Sequence, residues 1–125
     1  MAEIKRHSVL IIDDDRDYLE ILRRGLGNEF EVLTISNFKS LRDEILGMRP
    51  SLIMLDKHLG ETKPEDVINQ IRSYDFLKDT PIFLVSGSDS GRKIASTYNL
   101  NGFMLKSANL EEVRNLIRSG LAQSV

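Results

Sequence analysis

The sequence predicts a three-layer α/β/α domain in which a five-stranded parallel sheet is covered on both faces by five helices. Three observations carry this reading. Several short apolar runs are continuous rather than alternating, the pattern of strands buried on both faces. Segments with apolar residues three and four apart lie between them. The two kinds of segment alternate strictly along the chain, and right-handed crossovers then make the sheet parallel.

Val9-Leu10-Ile11-Ile12 is the first strand, and Leu19, Leu22 and Leu26 form the inward stripe of the first helix, with Asp15 as its N-terminal cap. Val32-Leu33-Thr34-Ile35 is more mixed and reads as a strand with one face partly wet. Phe38, Leu41 and Ile45 mark the second helix, and Leu52-Ile53-Met54-Leu55 the third strand. Val67, Ile71 and Tyr74 mark the third helix, whose first turn suits Pro64. Ile82-Phe83-Leu84-Val85 is the fourth strand. A short fourth helix is placed at 88–98, where Ser90, Gly91, Ser96 and Thr97 make helix propensity weak. Phe103-Met104-Leu105 is the fifth strand; Leu110, Val113, Leu116 and Ile117 line the last helix, opened by the capping box Asn109-Leu110-Glu111-Glu112. No repeat or Pro/Gly-rich linker divides the 125 residues, so one domain spans 1–125.

Composition narrows the function. With 41% hydrophobic and 29% charged residues the chain is neither disordered nor membrane-spanning. A net charge of -2 gives no basic field for direct nucleic-acid or membrane binding. The absence of cysteine removes disulfides and thiolate chemistry, and His7 and His58 alone give thin support to a His-rich metal site or a Ser-His-Asp triad. The stretch 1–8 is charged and no apolar run approaches the roughly 20 residues of a membrane helix, so a cytoplasmic location is expected.

Parallel sheets present functional groups where the strands end. Here the first strand runs into Asp13-Asp14-Asp15, the third into Asp56, the fourth into Ser86 and the fifth into Lys106. Each alone has a plain explanation as a cap, a turn residue or a solvated side chain. Together they bring carboxylates, a hydroxyl and an ammonium to one edge. Two unit charges about 4 Å apart repel by about 4 kcal/mol at an effective dielectric of about 20, a large share of a domain's roughly 5 to 15 kcal/mol of stability. Lys106 offsets part of this; a divalent cation with oxygen ligands, best Mg2+, offsets more, and the alternative is a raised carboxyl pKa with one proton retained. An aspartate beside Mg2+ and a lysine is suited to attack phosphorus, so the chemistry indicated is aspartyl phosphorylation.

With Val9-Leu10-Ile11-Ile12-Asp13-Asp14-Asp15, Leu52-Ile53-Met54-Leu55-Asp56, Phe83-Leu84-Val85-Ser86-Gly87 and Gly102-Phe103-Met104-Leu105-Lys106, the chain resembles the receiver domain of two-component response regulators. That resemblance implies a flavodoxin-like fold with strand order 2-1-3-4-5. It implies that Asp56 accepts phosphate from a histidine kinase or phosphotransfer protein, that Asp13, Asp14, Asp56 and the backbone carbonyl of His58 organise Mg2+, that Ser86 binds the phosphoryl group and that Lys106 pairs with it. Ser86 and Phe103 fall where the family keeps its switch pair, which directs a downstream protein partner to the 88–118 face. The domain is thus expected to be a switch rather than a turnover enzyme.

The chain departs from the family pattern in four places. Ser107 follows the lysine where a proline joined through a cis bond is usual, and the acceptor loop reads Lys57-His58-Leu59-Gly60-Glu61-Thr62-Lys63-Pro64 without the common Met-Pro pair. Phe103 lacks a phenol, so a switch here relies on packing, and Asn99 stands where glycine is common. Arg92 and Lys93 read as solvated surface charge, and the His58 side chain as a solvated loop residue. Two other functions share these residues: a pseudo-receiver that binds protein without phosphate, and a Mg2+-dependent phosphohydrolase, which lacks a substrate cap. No output domain follows the last helix, so the chain is expected to act alone through protein contacts or as a piece of a longer regulator.

Overall fold

The computed structural model describes residues 6–123, and the ends of the domain read from sequence, residues 1 and 125, lie outside the described residues. The strands are β1 (Ser8–Ile12), β2 (Glu31–Ile35), β3 (Leu52–Asp56), β4 (Ile82–Ser86) and β5 (Gly102–Leu105). The helices are α1 (Arg16–Leu26), α2 (Phe38–Glu44), α3 (Pro64–Arg72), α4 (Gly91–Thr97) and α5 (Leu110–Gln123). All strand pairings are parallel, in the order β2-β1-β3-β4-β5, the flavodoxin-like arrangement.

Because neighbouring side chains along a strand point to opposite faces, the continuous apolar runs split into two cores. Leu10, Ile12, Ile53, Leu55, Ile82 and Leu84 face Leu41, Val67, Ile68, Ile71 and Ala95 of α2, α3 and α4. Val9, Ile11, Leu52, Met54, Phe83 and Val85 face Leu19, Leu22 and Leu26 of α1 and Val113 and Ile117 of α5. Every residue of β3 and β4 is buried, while β2, at one edge, is mostly half-exposed.

Three helix limits differ from the sequence reading. Ile45 opens a 3-10 turn (Ile45–Gly47) that continues α2. Tyr74 lies beyond α3: the Ser73 N–H bonds Asn69 O and Gln70 O, its hydroxyl donates to Gln70 O at 2.6 Å, and Tyr74 turns extended. A serine that satisfies its own turn competes with helix continuation. The α4 helix begins at Gly91 rather than 88, because Ser88 and Ser90 are engaged in the preceding loop, Oγ to Oγ at 2.8 Å and with Lys57 Nζ donating to Ser90 Oγ at 2.6 Å.

The capping expectations are met. Asp15 Oδ1 accepts from Tyr18 N at 3.1 Å, and Asn109 and Glu112 exchange side-chain-to-backbone bonds at 2.9 and 3.1 Å. Asn99 has a φ of 54°, the left-handed conformation in which asparagine replaces glycine at low cost. The Lys106–Ser107 bond is trans, since the described residues contain no cis peptide.

Candidate functional site

The strand ends converge at the carboxyl edge around the two central strands, β1 and β3. The β1–β2 ladder continues one step, with Asp13 N donating to Ile35 O at 3.0 Å, which draws Asp13 into the interior at 1% exposure. Its Oδ1 accepts from Asp15 N at 2.9 Å, an Asx-type turn that swings the chain into α1. Asp14 projects outward and its Oδ2 accepts from Gly60 N at 2.9 Å, tying the acidic loop to the loop after β3. Gly60 has a φ of 58°, a turn conformation that suits glycine. Asp56 is 5% exposed and its Oδ2 accepts from His58 N at 3.0 Å.

Lys106 follows the edge strand β5, which β4 separates from β3. Its backbone N–H donates to Ser86 O at 2.7 Å, and its ammonium lies 2.9 Å from Asp13 Oδ2, 3.7 Å from Asp56 Oδ1 and 3.9 Å from Asp15 Oδ2. Ser86 ends β4 at 2% exposure, beside β3 in the sheet, and its Oγ accepts from Ser88 N at 3.2 Å. Asp13, Asp56 and Ser86 are the buried polar residues among those described.

Burial pushes the Asp56 carboxyl up to about 6, with the Asp13 charge adding to the rise and Lys106 opposing it. Asp13 is raised by burial against the pull of Lys106. Lys106 itself is lowered by burial, but its bond to Asp13 and the charges of Asp56, Asp13 and Asp15 outweigh that and raise it. A single ammonium thus sits among several carboxylates, whose burial and crowding set the electrostatics of the pocket.

Asp13, Asp14 and Asp56 each offer a carboxylate oxygen, all within 4.8 Å of one another. Asp13 Oδ2 is buried, with the Lys106 ammonium 2.9 Å away and no further polar partner among the described residues. An all-oxygen, carboxylate-rich set of this kind fits a hard divalent ion such as Mg2+.

The structure thus brings together Asp13, Asp14, Asp56 and Lys106, with Ser86 on the adjoining strand end, while the His58 side chain is exposed and only its N–H is engaged. Phe103 is half-buried, packed on the core that faces α4. A Cβ at Gly91 would stand 2.7 Å from Phe103 Cε2 and 3.1 Å from Ser86 Cβ, so this glycine leaves the slot the ring fills. Arg92 is solvent-exposed, as the sequence suggests, but it also makes contacts the sequence did not show: its guanidinium lies 4.8 Å from the Phe103 ring centroid, and its Nε donates to Asp89 at 2.9 Å.

Two further contacts escaped the sequence reading. Lys57 reaches across to Ser90, and the Lys106 ammonium lies 4.7 Å from the centroid of the Tyr18 ring. Tyr18 stands beside the apolar stripe of α1, three residues after the Asp15 cap; that offset is its one sequence signal. Burial and the nearby carboxylates Asp13, Asp56 and Asp15 push its phenol up to about 12.

Comparison with known proteins bears on the fold and the family. Response regulator MprA of Mycolicibacterium vanbaalenii is 32% identical over 83 residues, 66% of this chain and 35% of that protein. The first curated relatives are longer than this chain, and the matched stretches span 14% to 35% of their lengths. Among solved structures, chemotaxis response regulator CheY4 of Vibrio cholerae superposes with a TM-score of 0.84 at 18% identity, over 93% of this chain and 99% of that one. Response regulator TrrA of Thermotoga maritima, solved in complex with Mg2+–BeF, gives 0.78 at 23%, over 91% and 98%. At those identities the structural likeness speaks for the fold. The family model of the response regulator receiver domain matches residues 9–118, nearly the whole described chain, and this protein therefore belongs to the receiver domain family of two-component systems.

Proposed function

We propose that this receiver domain is a phosphoacceptor in which Asp56 takes a phosphoryl group from the phosphohistidine of a sensor kinase or phosphotransfer protein in the presence of Mg2+. Receiver domains act as signalling switches, bind Mg2+ and engage such donors and downstream effectors. The observation that carries the reading here is the buried Asp56 carboxylate, with the Lys106 ammonium at 3.7 Å and the oxygens of Asp13 and Asp14 within 4.8 Å.

With its pKa near 6, Asp56 is mostly ionised at neutral pH, and one of its oxygens attacks phosphorus. The new O–P bond forms as the donor's N–P bond breaks, and the leaving imidazole takes up a proton from solvent. Lys106 moves its charge from Asp13 toward a phosphoryl oxygen, and Ser86, whose Oγ already accepts from Ser88 N, retains its own proton to donate to another. Asp13, Asp14, Asp56 and the His58 carbonyl would hold the Mg2+. When bound, the ion neutralises the carboxylates and the charge on the transferring phosphoryl oxygens. The solved complex of TrrA with Mg2+–BeF supports Mg2+ as the ion by analogy.

The output face is assigned to α4, β5 and α5. The α4 helix has seven residues, no side-chain cap, and only Gly91 and Ala95 buried, so it is held weakly. A cavity of about 320 Å³ between Arg92, Phe103, Leu105 and Leu116 opens on this face, where Leu105 and Tyr98 are exposed.

Incubation with Mg2+ and acetyl phosphate followed by intact mass tests the reading. One phosphoryl adduct is expected, lost without Mg2+ and in Asp56→Asn. No adduct with several donors, or one of undiminished yield in Asp56→Asn, would overturn it in favour of a phosphate-independent protein-binding domain.

A further inference from the structure

Lys106 is anchored through its backbone, but its flexible stem leaves the ammonium a choice of partners. Asp13, Asp56 and Asp15 all lie within 4.0 Å of Nζ, and Asp15, at 50% side-chain exposure, sits on the solvent side of the group. The other surface touching the ammonium is the Tyr18 ring, 4.7 Å from Nζ to centroid. Tyr18 is fixed from behind: it packs on the core shared by α1 and α5, and its backbone N–H is held by the Asp15 cap. Its hydroxyl is buried and has no hydrogen-bond partner among the described residues. A tyrosine serving through its hydroxyl would have that group paired. What Tyr18 offers the site is its aromatic ring, beside a lysine only 25% exposed.

We propose that Tyr18 is a positioning residue for Lys106, its ring seating the ammonium by cation–π attraction where it meets Asp13 and Asp56 instead of swinging out toward Asp15. The kinetic consequence rests on the phosphoacceptor reading above; the seating itself does not. With the ring in place, the ammonium is pre-positioned before a phosphoryl group arrives. Without it, Lys106 samples the solvent side and stabilises the transferring oxygens for less of the time.

The test combines a spectroscopic and a kinetic measurement on the full chain. Side-chain NMR of Lys106 is expected to show ring-shifted Hδ and Hε resonances in the native protein and in Tyr18→Phe, and ordinary values in Tyr18→Leu, with Tyr18→Met as a second ring-free variant. Phosphorylation by acetyl phosphate with Mg2+ is expected to slow about 2- to 30-fold in Tyr18→Leu. Tyr18→Phe should restore the native rate, and Tyr18→Leu should have no further effect in a Lys106→Ala background. Unshifted Lys106 resonances in the native protein would overturn the proposal. So would a Tyr18→Phe rate as slow as that of Tyr18→Leu, which would assign the role to the hydroxyl, or equal slowing with and without Lys106. Should the native protein accept no phosphoryl group, the phosphoacceptor reading fails, and the Lys106 resonances alone still decide whether Tyr18 seats the ammonium.

Discussion

Asp56→Asn is expected to stabilise the metal-free protein at pH 8 and to leave its stability nearly unchanged at pH 4. Asp56 is 5% exposed and shares its pocket with Asp13, and its carboxyl is pushed from 3.8 up to about 6. Below the lower value the group is protonated in both folded and unfolded chains and its stabilising contribution is fully present. Between the two values only the folded protein retains the proton, so stability falls as pH rises, and above the folded value the loss is complete. At about 1.4 kcal/mol per pKa unit the loss comes to about 3 kcal/mol. Asparagine has nearly the same shape and no charge to bury. Its amide deprives Lys106 of a partner at 3.7 Å, but the ammonium keeps Asp13 at 2.9 Å, so most of the gain should survive. Urea denaturation in a chelator at several pH values reads this directly: with a slope of about 1 to 3 kcal/mol/M, the midpoint of the variant should lie about 1 to 3 M higher at pH 8. A variant no more stable than the native protein at pH 8, or an advantage that grows toward acid, would refute the electrostatic account.

Three other outcomes follow from the same geometry. Mg2+ should raise the melting temperature, by the equivalent of about 2.7 kcal/mol at 100 times its Kd, and Asp14→Ala should remove most of that gain; equal shifts in both proteins would place the ion elsewhere. Gly120→Ala should destabilise by about 1 to 3 kcal/mol in urea titrations, because its Cβ would stand 2.5 Å from Phe83 Cε2 and 2.6 Å from Leu52 Cδ1; unchanged stability would contradict the close seating of α5 on the sheet. Beryllofluoride with Mg2+ should shift amide resonances across residues 88–118, and Arg92→Ala should enlarge that response by freeing the Phe103 ring; changes confined to the acidic loops would remove the link between site and output face.

Where chemistry depends on local order, the chain itself was explicit. Continuous apolar runs specify two-faced strands, alternation with helical stripes specifies the parallel sheet, and a polar residue at each strand end is carried to the same edge by that topology alone. Asp15 and Asn109 announce their caps, and Asn99 its left-handed turn, because those effects act within a few residues. The ends of α3 and α4 were less legible: Ser73, Ser88 and Ser90 carry hydroxyls that bond either to the local backbone or to distant side chains, and packing chooses between them.

Tertiary structure alone decided the contacts that join residues far apart in the chain. Arg92 over Phe103, Lys57 on Ser90, Gly60 on Asp14 and Tyr18 beneath Lys106 each depend on side-chain direction and on a backbone approach from another element, neither of which has a periodic signature. The site's charge state has the same origin. Composition shows acidic residues near one another, but the pKa of about 6 at Asp56 comes from depth of burial and from the placement of one ammonium among the carboxylates, both properties of the packed fold. Residue types at strand ends thus determined which groups meet, and only their three-dimensional packing determined how strongly they act on one another, because electrostatic and aromatic interactions depend on distances and desolvation that a linear sequence does not contain.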